Sequence, residues 1–207
     1  MKKLLSTICL FVLGLTISNL SARTAGWGLT GGMNVSKINW KDMKETKPEA
    51  EKGWYAGITG MFSIPLSGFG FDGAIVYSQE GIGTGIDNVD AEVAQYLSIP
   101  VHLRYDFYIQ ATEDVLVPFL TIGPQFNYAL NEIKFEDFEG HSLGYIVKKA
   151  NTWRLDMGAG VLLMDHLQLS YSYGIPLGEA IQVDEEKGTT SFNYKLGTHR
   201  VGLVYYF

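Results

Sequence analysis

The sequence is poor in cysteine, in charge and in long apolar runs. Its 207 residues include one cysteine, and 18% of them are charged, against about 25% in an average protein. The cysteine, Cys9, lies in the apolar N-terminal stretch, so the rest of the chain has no disulfide framework. Acidic residues outnumber basic ones, 22 to 16. This balance argues against a nucleic-acid partner, because phosphate binding needs clustered Lys and Arg.

After the N-terminal stretch, no segment contains 18 consecutive apolar residues, which excludes helical membrane spans. The stretch itself has the three parts of a secretory signal peptide: Lys2 and Lys3, an apolar run over 4–17, and a small, polar end over 18–22. We therefore expect residues 1–22 to be a signal peptide and residues 23–207 to form one domain. Removal of the leader changes the formal net charge from −6 to −8.

Glycine, aromatic residues and period-two alternation are abundant. The chain has 24 Gly and is 13% aromatic. Between Leu97 and Tyr105, for example, every second residue is apolar and the residues between them are polar or small. Such alternation predicts strands with one apolar face and one polar face.

The pattern predicts eight strands with a mean length of about 12 residues, whereas strands of soluble proteins average about 5–6. A tilted strand that crosses a membrane needs about 9–11 residues. The length therefore favours an all-β protein, an eight-stranded antiparallel up-and-down transmembrane β-barrel. The predicted strands cover residues 26–38, 53–64, 69–80, 95–107, 116–129, 151–163, 166–175 and 195–207.

The predicted connections alternate between long and short. The long ones are 39–52, 81–94, 130–150 and 176–194, and the short ones are 65–68, 108–115 and 164–165. Outer-membrane barrels have short periplasmic turns and longer external loops. The sorting predicts the outer membrane of a Gram-negative bacterium, with both termini in the periplasm.

The chain ends on an aromatic residue, with an apolar residue at every second position before it: Val201, Leu203, Tyr205 and Phe207. This ending is similar to the C-terminal signal that barrel assembly machinery recognises in outer-membrane proteins. Aromatic residues also gather near the strand ends, as expected for girdles at the two membrane interfaces. That set comprises Trp27, Trp54, Phe71, Tyr77, Tyr105, Phe119, Phe126, Tyr128, Trp153, Tyr171, Tyr173, Tyr205 and Phe207.

If the apolar face meets lipid, the polar face lines the lumen. Eight strands enclose a lumen that side chains can fill, and an unpaired charge there is costly. We therefore expect a structural polar network in which three arginines pair with the aspartates. Its members are Asp72, His102, Arg104, Arg154, Asp156 and Arg200, with Ser78, Gln125 and Gln168 beside them.

No pattern in the chain indicates a cofactor or a catalytic centre. Two glycine fingerprints, 26–31 and 68–73, lack the following helix that a dinucleotide site needs. The four histidines do not have metal-ligand spacing. His199 falls near the external rim, where a surface lipid enzyme could place a base, but no serine stands two residues along its strand. We expect no enzyme and no cofactor. Acidic residues gather in the external loops and could bridge divalent cations to anionic glycolipid: Asp87, Asp90, Glu92, Glu132, Glu136, Asp137, Glu139, Asp184, Glu185 and Glu186.

Six stretches occur in the order found in one family of barrels. They are GGMNVS at 31–36, YSQEG at 77–81, YLSIP at 96–100, PFLTIGP at 118–124, GAGV at 158–161 and LSYSYG at 169–174. On these the chain resembles the PorT-like outer-membrane β-barrels of Bacteroidetes. The resemblance covers essentially the whole chain after the leader and implies an eight-stranded barrel. It implies no single activity, although the founding member is linked to protein secretion.

Together these features predict a small integral outer-membrane barrel with a plugged lumen. Its partners would be outer-membrane lipid, lipopolysaccharide, the assembly machinery and other envelope or secretion proteins. Loops 130–150 and 176–194 are the expected recognition surfaces. One alternative stays open, a porin-like or lateral passage for small apolar molecules. A soluble lipocalin-like barrel would have its apolar face inside. Strand length, the sorting of the connections and the Phe207 ending argue against it.

Overall fold

The computed structural model describes ten segments of the chain. They are residues 25–40, 50–64, 67–82, 92–109, 115–131, 133–136, 142–147, 151–177, 183–185 and 194–207. The predicted signal peptide, residues 1–22, lies outside the described residues, as do several of the acidic loop residues. No helix in these segments has both the length and the apolar composition needed to cross a membrane.

The described residues form eleven strands, in which β-branched and aromatic residues alternate with small and polar ones, as strands with two unlike faces require. The strands are β1 (Ala25–Trp40), β2 (Ala50–Ser63), β3 (Phe69–Ile82), β4 (Glu92–Asp106), β5 (Leu116–Ala129), β6 (Ile133–Glu136), β7 (Ser142–Val147), β8 (Thr152–Leu163), β9 (Leu167–Leu177), β10 (Val183–Glu185) and β11 (Tyr194–Tyr206).

Eight of these strands close into an antiparallel barrel in the order β1-β11-β9-β8-β5-β4-β3-β2. Each barrel strand pairs with the barrel strands before and after it in the chain, and β1 pairs with β11 from Gly28↔Tyr206 to Trp40↔Tyr194. The predicted up-and-down barrel is thus confirmed. The bounds of the eight predicted strands differ from the observed ones by at most three residues.

The two ends of the barrel differ. At the turn end, residues 64–68, 107–115 and 164–166 join neighbouring strands, and the chain enters β1 and leaves β11 there. The loop end carries a second, three-stranded sheet in the order β10-β7-β6. This small sheet lies within 130–150 and 176–194, which the alternation pattern predicts as loops only. The two long connections emerge at the same end, so β10 of one can pair with β7 of the other.

One connection at the turn end is very tight. Met164 and Asp165 both have positive φ angles, 49° and 60°, and the His166 amide donates to the Leu163 carbonyl at 3.1 Å. Positive φ at two successive residues is the backbone of a type I′ hairpin turn, whose twist matches that of the flanking strands.

The outer wall of the barrel is apolar. Large side chains on all eight strands are exposed there, among them Leu29 and Met33 of β1, Ile58 of β2 and Leu120 of β5. The side chains of alternate residues are buried inside the barrel and are mostly polar or charged. A soluble lipocalin-like barrel has the opposite arrangement, so the apolar wall rules that alternative out.

Candidate functional site: the barrel lumen

Every second residue of each barrel strand faces inward, and the side chains of these residues fill the lumen. On β4 the buried positions are even-numbered, from Ala94 to Asp106, whereas Val101 and Leu103 face outward. The same rule holds around the barrel. The buried polar and charged residues are Asn34, Ser36, Ser63, Ser78, Glu80, Ser98, Arg104, Asp106, Gln125, Asn127, Arg154, Asp156, Gln168, Thr198 and Arg200.

The loop-end half of the lumen is organised around one fully buried carboxylate, Glu80 of β3. Arg154 of β8 donates to it through both terminal nitrogens, at 2.6 and 2.5 Å. Arg200 of β11 donates to the same carboxylate at 3.2 Å. Bidentate arginine–carboxylate contacts are among the strongest hydrogen bonds in proteins. One acid therefore links three strands across the barrel.

Neutral side chains extend this cluster to β5 and β4. Arg200 also donates to the side-chain oxygen of Gln125, and the Gln125 amide donates to Asn127. Asn127 accepts a second hydrogen bond from the Ser98 hydroxyl at 2.7 Å. We call Glu80, Arg154, Arg200, Gln125 and Asn127 the Glu80 network.

The turn-end half contains a second charged group, fully buried Arg104 of β4. Its Nε donates to Asp106 at 2.7 Å, and its Nη1 donates to Gln168 at 2.6 Å. The Ser63 hydroxyl donates to the other oxygen of Asp106 at 3.0 Å. The guanidinium carbon lies 3.8 Å from the centre of the Phe119 ring, a cation–π contact. We call these five residues the Arg104 cluster.

An apolar layer packs beside the Arg104 cluster and occupies the lumen at the turn end. It consists of Met61, Val117, Leu162, Val204 and Tyr206. The Tyr206 hydroxyl donates to Gln168 of the Arg104 cluster at 3.3 Å, so a hydrogen bond connects the apolar layer to this cluster. This end of the lumen is therefore filled by apolar packing as well as by an ion pair.

Between the two halves, His102 stands between two carboxylates. Its Nδ1 is 2.8 Å from Asp72, and its Nε2 is 3.7 Å from Asp156. Arg200 approaches the same Asp156 oxygen at 3.7 Å, which connects this histidine to the Glu80 network. A cavity of about 90 Å³ lies beside these groups, which is large enough to hold water.

The pairing predicted for the arginines is wrong for two of the three. Arg104 pairs with Asp106, and Arg154 pairs with Glu80, rather than with Asp72 or Asp156. Arg200 does reach Asp156 but lies closer to Glu80. Asp72 pairs with His102 instead. Which inward residues meet depends on the stagger of the strands.

Glu80 and Asp106 are the charged lumen residues, within the described segments, that the sequence interpretation missed. Both have the inward parity of their strands, so the alternation alone could have identified them. They lie near strand ends beside predicted loops, and an acidic residue in such a position looks like one of the solvent-exposed acidic residues of a loop. Phe119 is a further correction: it was expected in the outer girdle, yet its side chain is buried in the lumen, beneath Arg104.

The four residues of the predicted C-terminal signal, Val201, Leu203, Tyr205 and Phe207, have side chains exposed on the outer wall. The Phe207 amide donates to the Trp27 carbonyl at 3.0 Å, and the two rings lie 4.5 Å apart. The last residue is therefore joined to the first barrel strand at the turn end.

Aromatic pairs form two belts on the outer wall. At the turn end, Phe69 contacts Tyr105 with ring centres 4.8 Å apart. At the loop end, Trp54 lies 5.5 Å from Tyr77, and Phe126 lies 4.9 Å from Trp153. Rings of this kind settle at the two interfaces of a bilayer.

Within the segments that the structure describes, no three His, Cys, Asp or Glu side chains are arranged to hold a metal ion. What the lumen offers chemically is a network of paired charges, in which Arg104 Nη2 and Arg200 Nε have no hydrogen-bond partner among the described residues.

The family model described as "Outer membrane protein beta-barrel domain" matches residues 7–207. The chain belongs to this family. The apolar wall, the aromatic belts and the polar lumen of this outer-membrane β-barrel agree with that membership. No curated protein sequence matches the chain.

Solved structures of outer-membrane proteins are similar to this chain over most of its length. Neisserial surface protein A (NspA) has a TM-score of 0.50 and 17% identity, over 88% of this chain and 99% of its own. The outer membrane protein OprG of Pseudomonas aeruginosa has a TM-score of 0.49 and 13% identity, over 89% and 97%. Ail of Yersinia pestis, solved with the heparin analogue sucrose octasulfate, has a TM-score of 0.47 and 17% identity, over 89% and 99%. At these identities the likeness to NspA concerns the fold of this outer-membrane barrel.

Proposed function

We propose that this outer-membrane barrel is a plugged, non-catalytic scaffold that presents its loop end at the cell surface for interaction. The observation that carries the proposal is the filled lumen. Arg104 and Glu80 are fully buried near opposite ends, and both are held by several partners. The interior is thus used for stability, and the surfaces left for recognition are the loop end and the outer wall.

The proposal includes the orientation and processing expected from the sequence. Residues 1–22 are removed as a signal peptide, both termini lie in the periplasm, and Val201, Leu203, Tyr205 and Phe207 are read by barrel assembly machinery. The three-stranded sheet at the loop end then faces outward and meets lipopolysaccharide or other envelope proteins. The PorT-like motifs support a place in a Bacteroidetes secretion or envelope complex.

A porin-like passage requires an open lumen, and a lateral passage requires a lumen that opens through the wall. The charged pairs across the interior do not favour either. Planar-bilayer recording of the refolded barrel tests this directly. We expect no large, steady conductance from the wild-type protein.

A matched positive control removes side-chain volume from the plug. Arg154→Ala combined with Arg200→Ala leaves a gap beside Glu80, and we expect intermittent conductance from this variant if it remains folded. A steady conductance of the wild-type barrel, equal to that of the double variant, contradicts the plugged lumen.

Surface presentation is tested with epitope tags in intact cells. A tag inserted between residues 137 and 140 should bind antibody without permeabilisation, and a tag placed directly after residue 22 should not. The reverse result contradicts the proposed orientation while leaving the plugged lumen unaffected.

A further inference from the structure

One polar group interrupts the apolar outer wall on β11. The side chain of His199 is exposed there, between two tyrosines of β9. The Tyr171 hydroxyl lies 2.7 Å from His199 Nδ1. The Tyr173 ring centre is 4.7 Å from the imidazole centre. An isolated polar side chain facing hydrocarbon is unfavourable, so an imidazole held by two phenols on this wall requires an explanation.

The strand register places a cation beside this group. Val35 of β1 is paired with His199 on one side and with Lys52 of β2 on the other. The side chains of all three share the outward face, and the two outer strands are roughly 10 Å apart across β1. Lys52 has no ion-pair partner within the part of the chain that the structure describes. We call Lys52, His199, Tyr171 and Tyr173 the His199 cluster.

The hydrogen bond between Tyr171 and His199 leaves one proton donor unused. If the phenol donates to Nδ1, the neutral ring carries its proton on Nε2; if the ring donates, the phenol proton is free. In either case the pair retains a donor. Together with the Lys52 ammonium it forms a site that attracts an anionic oxygen acceptor.

The depth of the cluster fits a lipid headgroup. His199 lies eight residues before Phe207 on the same strand, which is about 20 Å along the axis of a tilted strand. The apolar band of a membrane barrel is about 25 Å tall. Trp54, two residues from Lys52, belongs to the loop-end aromatic belt. The cluster therefore lies near the loop-end interface.

We propose that the His199 cluster binds the phosphate group of a lipid in the leaflet at the loop end. Lys52 and the free donor of the Tyr171–His199 pair contact the phosphate oxygens, and the acyl chains lie along the apolar wall below. A lipid phosphate is favoured over a soluble anion because the cluster opens sideways into the bilayer rather than into water. This inference rests on the membrane placement given under Proposed function.

Native mass spectrometry of the refolded full-length barrel tests the site. The probe is phosphatidylglycerol in detergent, and the comparison lipid is diacylglycerol with the same chains, which lacks the phosphate. We expect the concentration needed for half-maximal binding to be lower for phosphatidylglycerol than for diacylglycerol by about tenfold or more. Inorganic phosphate at the same concentration should not compete. Equal retention of the two lipids, or full competition by inorganic phosphate, overturns the proposal.

Variants locate the binding. Lys52→Met and His199→Phe keep side-chain volume on the lipid wall while removing a donor, and each should lower phosphatidylglycerol affinity about tenfold. Lys52→Arg should retain it. Gln95→Leu is the matched control, because Gln95 is an outward polar residue of β4, on the opposite side of the barrel. Unchanged affinity of Lys52→Met and His199→Phe, or an equal loss in Gln95→Leu, contradicts the site.

Heat-modifiable migration on a gel verifies that each variant is folded before lipid is added. The outcome is independent of the plug: a barrel that conducts ions but loses phosphatidylglycerol in His199→Phe refutes the plugged scaffold and keeps the lipid site. A barrel that does not conduct ions, and whose lipid retention is unchanged in both variants, refutes the lipid site and keeps the plugged scaffold.

Discussion

The two halves of the lumen bury similar charges by different means. In the Glu80 network, one carboxylate of β3 serves arginines from β8 and β11, so the charges connect strands on different sides of the barrel. In the Arg104 cluster, the ion pair joins residues two apart on β4, and a neighbouring apolar layer completes the interior. The loop-end half is therefore stabilised mainly by cross-barrel electrostatics, and the turn-end half mainly by packing.

This contrast predicts which substitutions should lower the free energy of unfolding, and by which mechanism. A buried ion pair that loses one partner leaves an uncompensated charge, which is strongly destabilising. A packed apolar layer that loses methylene groups is destabilised by lost transfer energy and by the cavity that remains. The variants below separate the two mechanisms, beginning with the largest expected effect.

Glu80→Gln should be the most damaging single change in the lumen. The glutamine keeps the size of the side chain but leaves two buried guanidiniums without their shared carboxylate. We expect a loss of about 3–5 kcal/mol in the free energy of unfolding, measured by guanidinium denaturation in lipid vesicles. Gln79→Leu, on the adjacent outward position, is the control and should change little. A loss below about 1 kcal/mol would show that the arginines find other partners.

Leu162→Ala probes the packed half. Leu162 is buried in the apolar layer, and truncation of a buried leucine costs about 2–5 kcal/mol. The same denaturation measurement gives the value, and Leu163→Ala, at the neighbouring outward position, is the matched control. If Leu162→Ala is as mild as its control, the turn-end half does not depend on packing and the contrast between the halves fails.

The alternation of the sequence predicted much of this architecture, and the reason is geometric. Because successive residues of a strand face opposite ways, parity alone assigns Arg154 to the lumen and Met157 to the wall. Strand length and the sorting of connections then favour a membrane barrel. None of this depends on how neighbouring strands are staggered, so the fold could be predicted without their register.

The pairing of the lumen charges could not be predicted in the same way. Which inward residues meet across a barrel depends on strand tilt and shear, which alternation does not specify. Arginine also reaches far, so Arg154 can select Glu80 over the expected aspartates. The small sheet of β6, β7 and β10 was not predicted. Its strands are short, and β10 comes from a different connection than β6 and β7.

Asp106→Asn tests whether the charge of the Arg104 cluster matters less than its contacts. The asparagine oxygen can still accept from Arg104, which also keeps Gln168 and the Phe119 ring. We expect a loss of about 1.5–3 kcal/mol, smaller than that of Glu80→Gln in the same denaturation series. An effect equal to or above that of Glu80→Gln would mean that both halves depend on their ion pairs to the same degree.

The smallest expected effect has the opposite sign and concerns the turn that closes the packed end. Met164 has a φ of 49° and is exposed, a conformation that costs a non-glycine residue about 1–2 kcal/mol. Met164→Gly removes that cost but adds chain flexibility worth about 0.5–1 kcal/mol, so unfolding should become harder by about 0.5–1 kcal/mol.

Met157→Gly is the control for this change, because Met157 lies in the extended backbone of β8, where glycine only weakens the strand. It should destabilise the barrel while Met164→Gly stabilises it, in parallel denaturation curves. A loss of stability in both variants would show that the hairpin carries no strain at Met164. The stability of the turn end would then come from the apolar layer, and the backbone conformation of Met164 would cost nothing. Neither substitution touches Arg104 or its partners, so the Arg104 cluster does not affect this comparison.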